Sequence, residues 1–211
     1  SVAVPIAENS GENQVVYTVI ADDSADVSDG VTFSLKNGNL DDAGAFTIDG
    51  ATGEVTPTED PDYEDQSSYA FTVVAEDAAG NSAEQAVTLD ITNVDEVAPS
   101  ITSPSTASSI AENSGASQVV YTVAADDSGD ISAGVSFSLR GARSDDTSEL
   151  TIDGSTGEVT LTENPDYEAK PSYNFTVVAE DAAGNRAEQQ VNLDIINVDE
   201  VAPSIGSAPK V

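Results

Sequence analysis

Cysteine, histidine, methionine and tryptophan occur nowhere in the 211 residues. Without cysteine there is no disulfide framework, no thiol nucleophile and no zinc or iron–sulfur centre built on thiolates. Without histidine the commonest general base and the commonest transition-metal ligand are both missing. Positive charge is scarce as well: 6 Lys plus Arg stand against 39 Asp plus Glu, a formal charge of −33. Nucleic-acid binding draws its affinity from Lys and Arg, so this balance argues against a polyphosphate partner. Anionic membrane surfaces repel the chain for the same reason. No apolar run approaches the roughly 18 residues of a membrane span, and nothing at Ser1 resembles a signal peptide. We therefore expect a soluble piece of a longer protein, with no nucleic acid and no membrane insertion among its interactions.

What is present is order. Hydrophobic residues make up 38% of the chain, and the sequence copies itself at a constant offset. Ala7-Glu8-Asn9-Ser10-Gly11 recurs as Ala111-Glu112-Asn113-Ser114-Gly115, and Pro61-Asp62-Tyr63-Glu64 as Pro165-Asp166-Tyr167-Glu168. Asn93 to Pro99 recurs as Asn197 to Pro203, and about seven positions in ten agree between Ala7–Pro99 and Ala111–Pro203. Two copies of one domain follow. We expect a first repeat over 1–99 with its linker at 93–99, and a second over 100–203 with its linker at 197–203. Val201-Ala202-Pro203-Ser204-Ile205 repeats Val97-Ala98-Pro99-Ser100-Ile101, so 204–211 reads as the start of a following repeat in a longer array.

Within a copy the period is two. Gln14–Ala21, Val31–Leu35, Ala45–Asp49, Ser68–Glu76 and Ala83–Thr92 are rich in β-branched and aromatic residues and read as strands. Short strands at Val4–Ala7 and Gly53–Thr56 bring the number to seven. Seven short strands in about 100 residues, separated by Gly, Asn, Asp and Pro, predict an all-β fold: two tandem seven-stranded Greek-key β-sandwiches. Phe33, Leu35, Phe46, Ile48, Val55, Phe71, Val73 and Leu89 alternate with polar neighbours and are the predicted core. Their counterparts Phe137, Leu139, Leu150, Ile152, Val159, Phe175, Val177 and Leu193 serve the second copy.

The copies differ most between Asn37 and Gly50 and agree at the acidic clusters. Glu8 follows the first strand, Asp62 and Glu64 lie in a loop, and Asn93, Asp95 and Glu96 close the last strand. Carboxylates gathered at one pole of a sandwich repel one another. With no nearby base, they are what a Ca²⁺ site of roughly six to eight oxygens requires. Mg²⁺, which demands a stricter octahedron, suits them less. Asp26, Asp29, Asp41, Asp42, Asp145 and Asp146 fall in loops without a motif and read as solvated acids.

These residues resemble a family. Ala-Glu-Asn near the start, Asp-Tyr-Glu in the middle, Ala-Glu-Asp-Ala-Ala-Gly-Asn and the closing Asn-Val-Asp-Glu-Val-Ala-Pro look like the calcium motifs of cadherin repeats, in order and twice over. The bacterial cadherin-like repeats of very long surface adhesins, of the repeats-in-toxin type, are the nearest match. The resemblance implies an elongated rod of immunoglobulin-like sandwiches with about three Ca²⁺ at each inter-domain junction. It implies ligands Glu8, Asp62 and Glu64 from the lower domain. The linker would supply Asn93, the Val94 carbonyl, Asp95, Glu96 and the Val97 carbonyl. Asp126, Ser128 and Asp181 would come from the upper domain. Glu112, Asp166, Glu168, Asn197, Asp199 and Glu200 would form half of the next junction, while Asp22 and Asp77 would face a preceding domain. The linker departs from the family's common Asp-x-Asn-Asp-Asn, and Ser128 stands where an acid is usual, with Asp127 or Asp130 able to substitute.

The function so implied is not enzymatic. It is a calcium-binding extender of a bacterial cell-surface adhesin, secreted by type I export. Its partners are the neighbouring repeats of its own chain, and the isolated piece is expected to be a monomer. Calcium at the junctions would stiffen the array and project a distal binding domain for adhesion or biofilm formation. The alternative is a carbohydrate-binding or homophilic adhesion module. It would use a sandwich face or the Asn37–Gly50 loop to contact surface glycans or the same domain on another cell. Tyr63, Tyr69, Tyr167 and Tyr173 are the only tyrosines near loops that could stack on sugar.

Overall fold

The fold is taken from a computed structural model, which describes all residues except 26–29, 37, 39–40, 132–133, 142–144 and 207–211. Asp26, Asp29, part of the Asn37–Gly50 loop and most of the 204–211 segment therefore lie outside the described residues. The chain divides into two compact units, Ser1–Val94 and Asp95–Val211. The division falls before the linker tail and not after Pro99. The reason is local: the Asn185 side-chain amide donates to the Asp95 carbonyl at 2.9 Å, and Val97 packs on Gly129.

In the first unit the strands are β1 (Ile6–Ala7), β2 (Tyr17–Thr18), β3 (Val31–Leu35), β4 (Phe46–Ile48), β5 (Glu54–Pro57), β6 (Ser68–Asp77) and β7 (Ser82–Thr92). One sheet has the order β1-β7-β6-β3, with β1 parallel to β7 and the other pairs antiparallel; the second is β2-β5-β4. In the second unit they are β8 (Ser100–Ile101), β9 (Ile110–Ala111), β10 (Val119–Thr122), β11 (Ala125–Asp126), β12 (Ser136–Arg140), β13 (Leu150–Ile152), β14 (Glu158–Leu161), β15 (Ser172–Glu180) and β16 (Arg186–Ile196). Its sheets are β12-β15-β16-β9 and β10-β14-β13, with β11 and β8 forming an extra pair.

Alternation explains which faces meet. Val87, Leu89 and Ile91 on β7 point inward between exposed neighbours, as period-two strands require. They pack with Phe71 and Val73 of the same sheet and with Phe46 and Val55 of the other. Aromatic contacts bridge the sheets: Phe46 and Phe71 centroids lie 4.6 Å apart, and in the second unit those of Tyr121 and Phe175 lie 5.9 Å apart. Every predicted core residue falls in or against one of these two clusters. The expected strand Gln14–Ala21 is paired regularly only at Tyr17–Thr18. The equivalent strand is longer in the second unit, where Val119 also pairs with Thr160, and Ser100–Ile101 supplies a partner for the separate Ala125–Asp126.

Two local devices place the functional loops. Asp49 and Asp153 each cap a turn by accepting backbone N–H groups at 2.8–2.9 Å. That turn passes through Gly53 or Gly157 at φ +74° or +71°, where a Cβ would stand 2.7 Å from the Val19 or Val123 carbonyl, so only glycine fits. Asn9 and Asn113, at φ +53° and +58°, bend the chain just after Glu8 and Glu112. Asparagine tolerates that left-handed conformation better than most residues.

Candidate metal centre

The first cluster begins from a buried acid. Glu8 and Glu112 are only 2% and 3% exposed. Both oxygens of each are held by backbone N–H groups. Tyr63 and Val94 donate to Glu8 at 2.7 and 2.6 Å, and Tyr167 and Val198 donate to Glu112 at 2.8 and 2.7 Å. One carboxylate thus ties the first strand, the Asp-Tyr-Glu loop and the end of the last strand together. Those donors hold the Glu112 carboxyl below its ordinary range, so it stays ionised.

Other acids gather around it. Carboxylate oxygens of Glu112, Glu168 and Glu200 lie within 4.8 Å of one another, and those of Glu8 and Glu64 have the same spacing. Asn197 donates its amide to Glu168 at 2.9 Å, as Asn93 does to Glu64 at 3.0 Å. Asp62 and Asp166 shape their loops by accepting N–H groups of Asp65 and Ala169, and Asp199 accepts from Val201 at 3.2 Å. Desolvation, then the charges of Glu112 and Glu168, push the Glu200 carboxyl upward. None of the ion pairs among the described residues, which use Lys36, Arg140, Lys170 and Arg186, reaches this cluster.

The second cluster lies at the start of the second unit. Asp181 is 5% exposed; one oxygen accepts the N–H groups of Gly184 and Asn185 at 2.7 and 2.9 Å, and the other has no hydrogen-bond partner. Burial alone would raise its carboxyl, but the Asn185 side chain and these N–H groups outweigh it and the net shift is downward. One oxygen each of Asp95 and Asp127 is likewise buried without a partner. Desolvation first, then the charges of Asp181, Asp127 and Asp130, raise the Asp95 carboxyl. Buried acceptors without donors cost free energy, and like charges at close range add to it. A hard cation offsets both, so the donor set fits Ca²⁺.

The expected ligands divide on these facts. Asp95 and Asp181 come together, joined by Asp127 and Asp130, whereas Asp126 and Ser128 are exposed and bonded to each other through the Ser128 N–H at 3.2 Å. Glu96, Val94 and Val97 are exposed along the linker. In the first unit Asp22 accepts from Ser24, and Asp77 accepts the N–H and the side-chain amide of Asn81 at 2.8 Å each. These hydrogen bonds lower both carboxyls. Asn185 also donates its side-chain amide to the Asp95 carbonyl at 2.9 Å, so one residue links Asp181 to the linker. That role went unassigned although Asn185 closes the quoted Ala-Glu-Asp-Ala-Ala-Gly-Asn motif. Tyr63 and Tyr167 pack against the cores and Tyr173 is buried, so the tyrosines named for sugar stacking are largely committed to packing.

A family model described as the cadherin domain matches residues 3–92 and again 106–198. The chain belongs to the cadherin-domain family. It is similar to human Protocadherin Fat 1, with 32% identity over 187 residues that cover 87% of this chain. It is also 25% identical over 201 residues to the Drosophila melanogaster protocadherin-like wing polarity protein stan. The chain spans about 4% of the length of Fat 1 and 6% of stan. Among solved structures, human Protocadherin-24 EC1-2 shares the fold at a TM-score of 0.71 and 20% identity, covering 92% of this chain and 94% of that one. Mouse Cadherin-23 EC22-24 does so at 0.67 and 24%, covering 94% and 64%. Cadherin domains are extracellular repeat modules with adhesive roles, bind calcium as a class, and are not enzymes. No helix among the described residues is long and apolar enough to cross a membrane.

Proposed function

We propose that this cadherin-repeat pair is a calcium-stiffened extender within a large bacterial surface adhesin, exported by a type I route and serving attachment or biofilm formation. The observation that carries the calcium part is the gathering of Glu112, Glu168 and Glu200, whose carboxylate oxygens lie within 4.8 Å of one another; Asp95, Asp127 and Asp181 each add a buried oxygen without a donor. Ca²⁺, when bound, supplies positive charge and flexible oxygen coordination. The chain's own residues do the rest. Glu8 and Glu112 clamp the loop to the linker root, Asn185 aims the Asp95 carbonyl, and Asp181 and Asp127 offer free oxygens. Glu64, Asn93, Asp62 and Glu96 would complete the set at the first repeat's end, and Glu168, Asn197, Asp166, Asp199 and Glu200 at the second's. Linkers whose carboxylates are neutralised in this way hold consecutive repeats at one angle. The bacterial setting is supported by the absence of cysteine, which suits a long chain exported unfolded.

The test is small-angle scattering and thermal melting with and without calcium, at about 5 mM, roughly ten times a typical extracellular Kd. The maximum dimension should become sharply defined and Tm should rise, since a tenfold excess over Kd adds about 1.4 kcal/mol of stability per site. Identical scattering and melting curves in calcium and EDTA would overturn the proposal.

A further inference from the structure

The two units differ at one site near the Asp-Tyr-Glu loop. In the second unit Lys170 inserts its ammonium between Asp146 and Glu149, 2.5 Å from each, and 4.7 Å from the centroid of the Tyr173 ring. A lysine seated between carboxylates and over an aromatic ring is held by ion pairing and by cation–π attraction together. At the repeat's offset the same positions in the first unit are Asp42, Ala45, Gln66 and Tyr69. The acid and the tyrosine are kept. The lysine is gone, and Gln66 turns its amide to the Ser68 carbonyl at 2.9 Å.

Beside Ala45 and Tyr69 lies a cavity of about 490 Å³, with Phe46 and Tyr69 on its apolar side and Glu59, Asp60, Asp62 and Asp65 around it; Asp42 borders it from outside the lining and accepts the Ala70 N–H at 2.7 Å. Asp60 and Asp65 are extra acids: their counterparts are Asn164 and Ala169. The field of these acids is felt at Tyr69, whose hydroxyl is pushed up by burial and then by Asp65, Asp42, Asp62 and Glu59. Within residues 1–94 Lys36 is the single cation, and it is engaged with Glu84 at 2.6 Å. The first unit has no lysine of its own to place in the cavity.

We propose that this cavity binds a primary alkylammonium group, such as the end of a partner's lysine side chain, in the position that Lys170 fills within the second unit. The apolar side suits an alkyl stem, which a bare metal ion would not use, and the acids suit the head group. Asp62 is shared with the proposed calcium set, so the full chain is tested in saturating calcium, where Glu59, Asp60 and Asp65 remain for the ammonium.

The probe is Nα-acetyl-lysine methylamide, titrated into isotope-labelled protein and followed by NMR shifts, with its Nε-acetylated form as the neutral control. Saturable shifts should appear at Gly44, Phe46, Asp65 and Tyr69 and be absent at Tyr173, and the neutral control should give none. The double variant Ala45→Glu, Gln66→Lys rebuilds the second unit's filling and should weaken binding at least about tenfold. Lys170→Gln with Glu149→Ala should open a second site and bring shifts to Tyr173. Shifts that are absent, equal with the neutral control, unchanged in the filled variant or spread evenly over the acidic loops would refute the site. Calcium-dependent melting, measured on the same samples, reads the junction proposal separately.

Discussion

Removing the buried carboxylate of Glu8 should cost the first unit a substantial part of its stability. Glu8 is 2% exposed and accepts the Tyr63 and Val94 N–H groups at 2.7 and 2.6 Å. Glu8→Ala deletes both acceptors and leaves two donors facing a cavity. A hydrogen bond to a charged group contributes about 1.5–3 kcal/mol, so the pair contributes about 3–6 kcal/mol. Glu64, whose oxygen lies within 4.8 Å, repels Glu8 in the absence of metal. Glu64 is exposed and screened, so relief of that repulsion returns about 1 kcal/mol or less. The net loss is about 2–5 kcal/mol in EDTA, against a total of about 5–15 kcal/mol for a domain. For a unit of this size that lowers Tm by about 10 °C or more. Calorimetry in EDTA reads it, with Glu8→Gln as a control that keeps one acceptor and should fall between. Calcium should widen the gap, because the variant has also lost a ligand. A Glu8→Ala protein that melts within about 2 °C of the parent in EDTA would show that the carboxylate clamp is not structural.

Three further outcomes follow from the same geometry. Asp127→Asn should raise Tm slightly in EDTA by relieving the repulsion at Asp95 and should diminish the gain on adding calcium; an unchanged calcium response would exclude Asp127 as a ligand. The acid limb has two parts of opposite sign. Asp95 and Glu200 titrate above their usual 3.8 and 4.5, so in EDTA their part of the stability grows as pH falls through the raised values and is complete below the ordinary ones. Asp153, held at about 2 by the Thr156 and Ser155 N–H groups, contributes stability above 3.8 that is lost as pH falls toward 2; a pH series of melts should therefore rise and then fall, and Asp153→Ala should flatten the fall. Gly157→Ala should destabilise the second unit by about 1–3 kcal/mol, because the added Cβ meets the Val123 carbonyl at a positive φ; urea titration reads this, and a neutral result would contradict the packing.

Much of the fold could be read before any coordinates. Alternation along Ser82–Thr92 and Ser68–Glu76 is a local property of the chain, and a period of two identifies both the strand and its buried face. The internal copy, an offset held without insertion across Ala7–Pro99, points to two domains, and the chain divides into two units, though at Val94 and not after Pro99. The acidic motifs, being short and contiguous, identified Glu8, Glu112 and Asp181 as acids worth following. Strand ends were less legible: Gln14–Ala21 looks uniformly β-prone, yet a strand lasts only where a partner supplies hydrogen bonds.

Composition, charge and local periodicity by themselves determined that this is an all-β tandem repeat, rich in carboxylates and without the side chains of thiol or imidazole chemistry. Only the tertiary structure decided which carboxylates act together. Asp127 and Asp181 both act on Asp95 through their charge, while Asp126, next to Asp127, stays exposed. Glu8 is buried because Tyr63 and Val94, 55 and 86 residues away, bring their N–H groups to it. Side-chain direction within a loop and donors brought from distant strands are not properties of a short segment. They exist once the sheets have packed, and the sites are made of them.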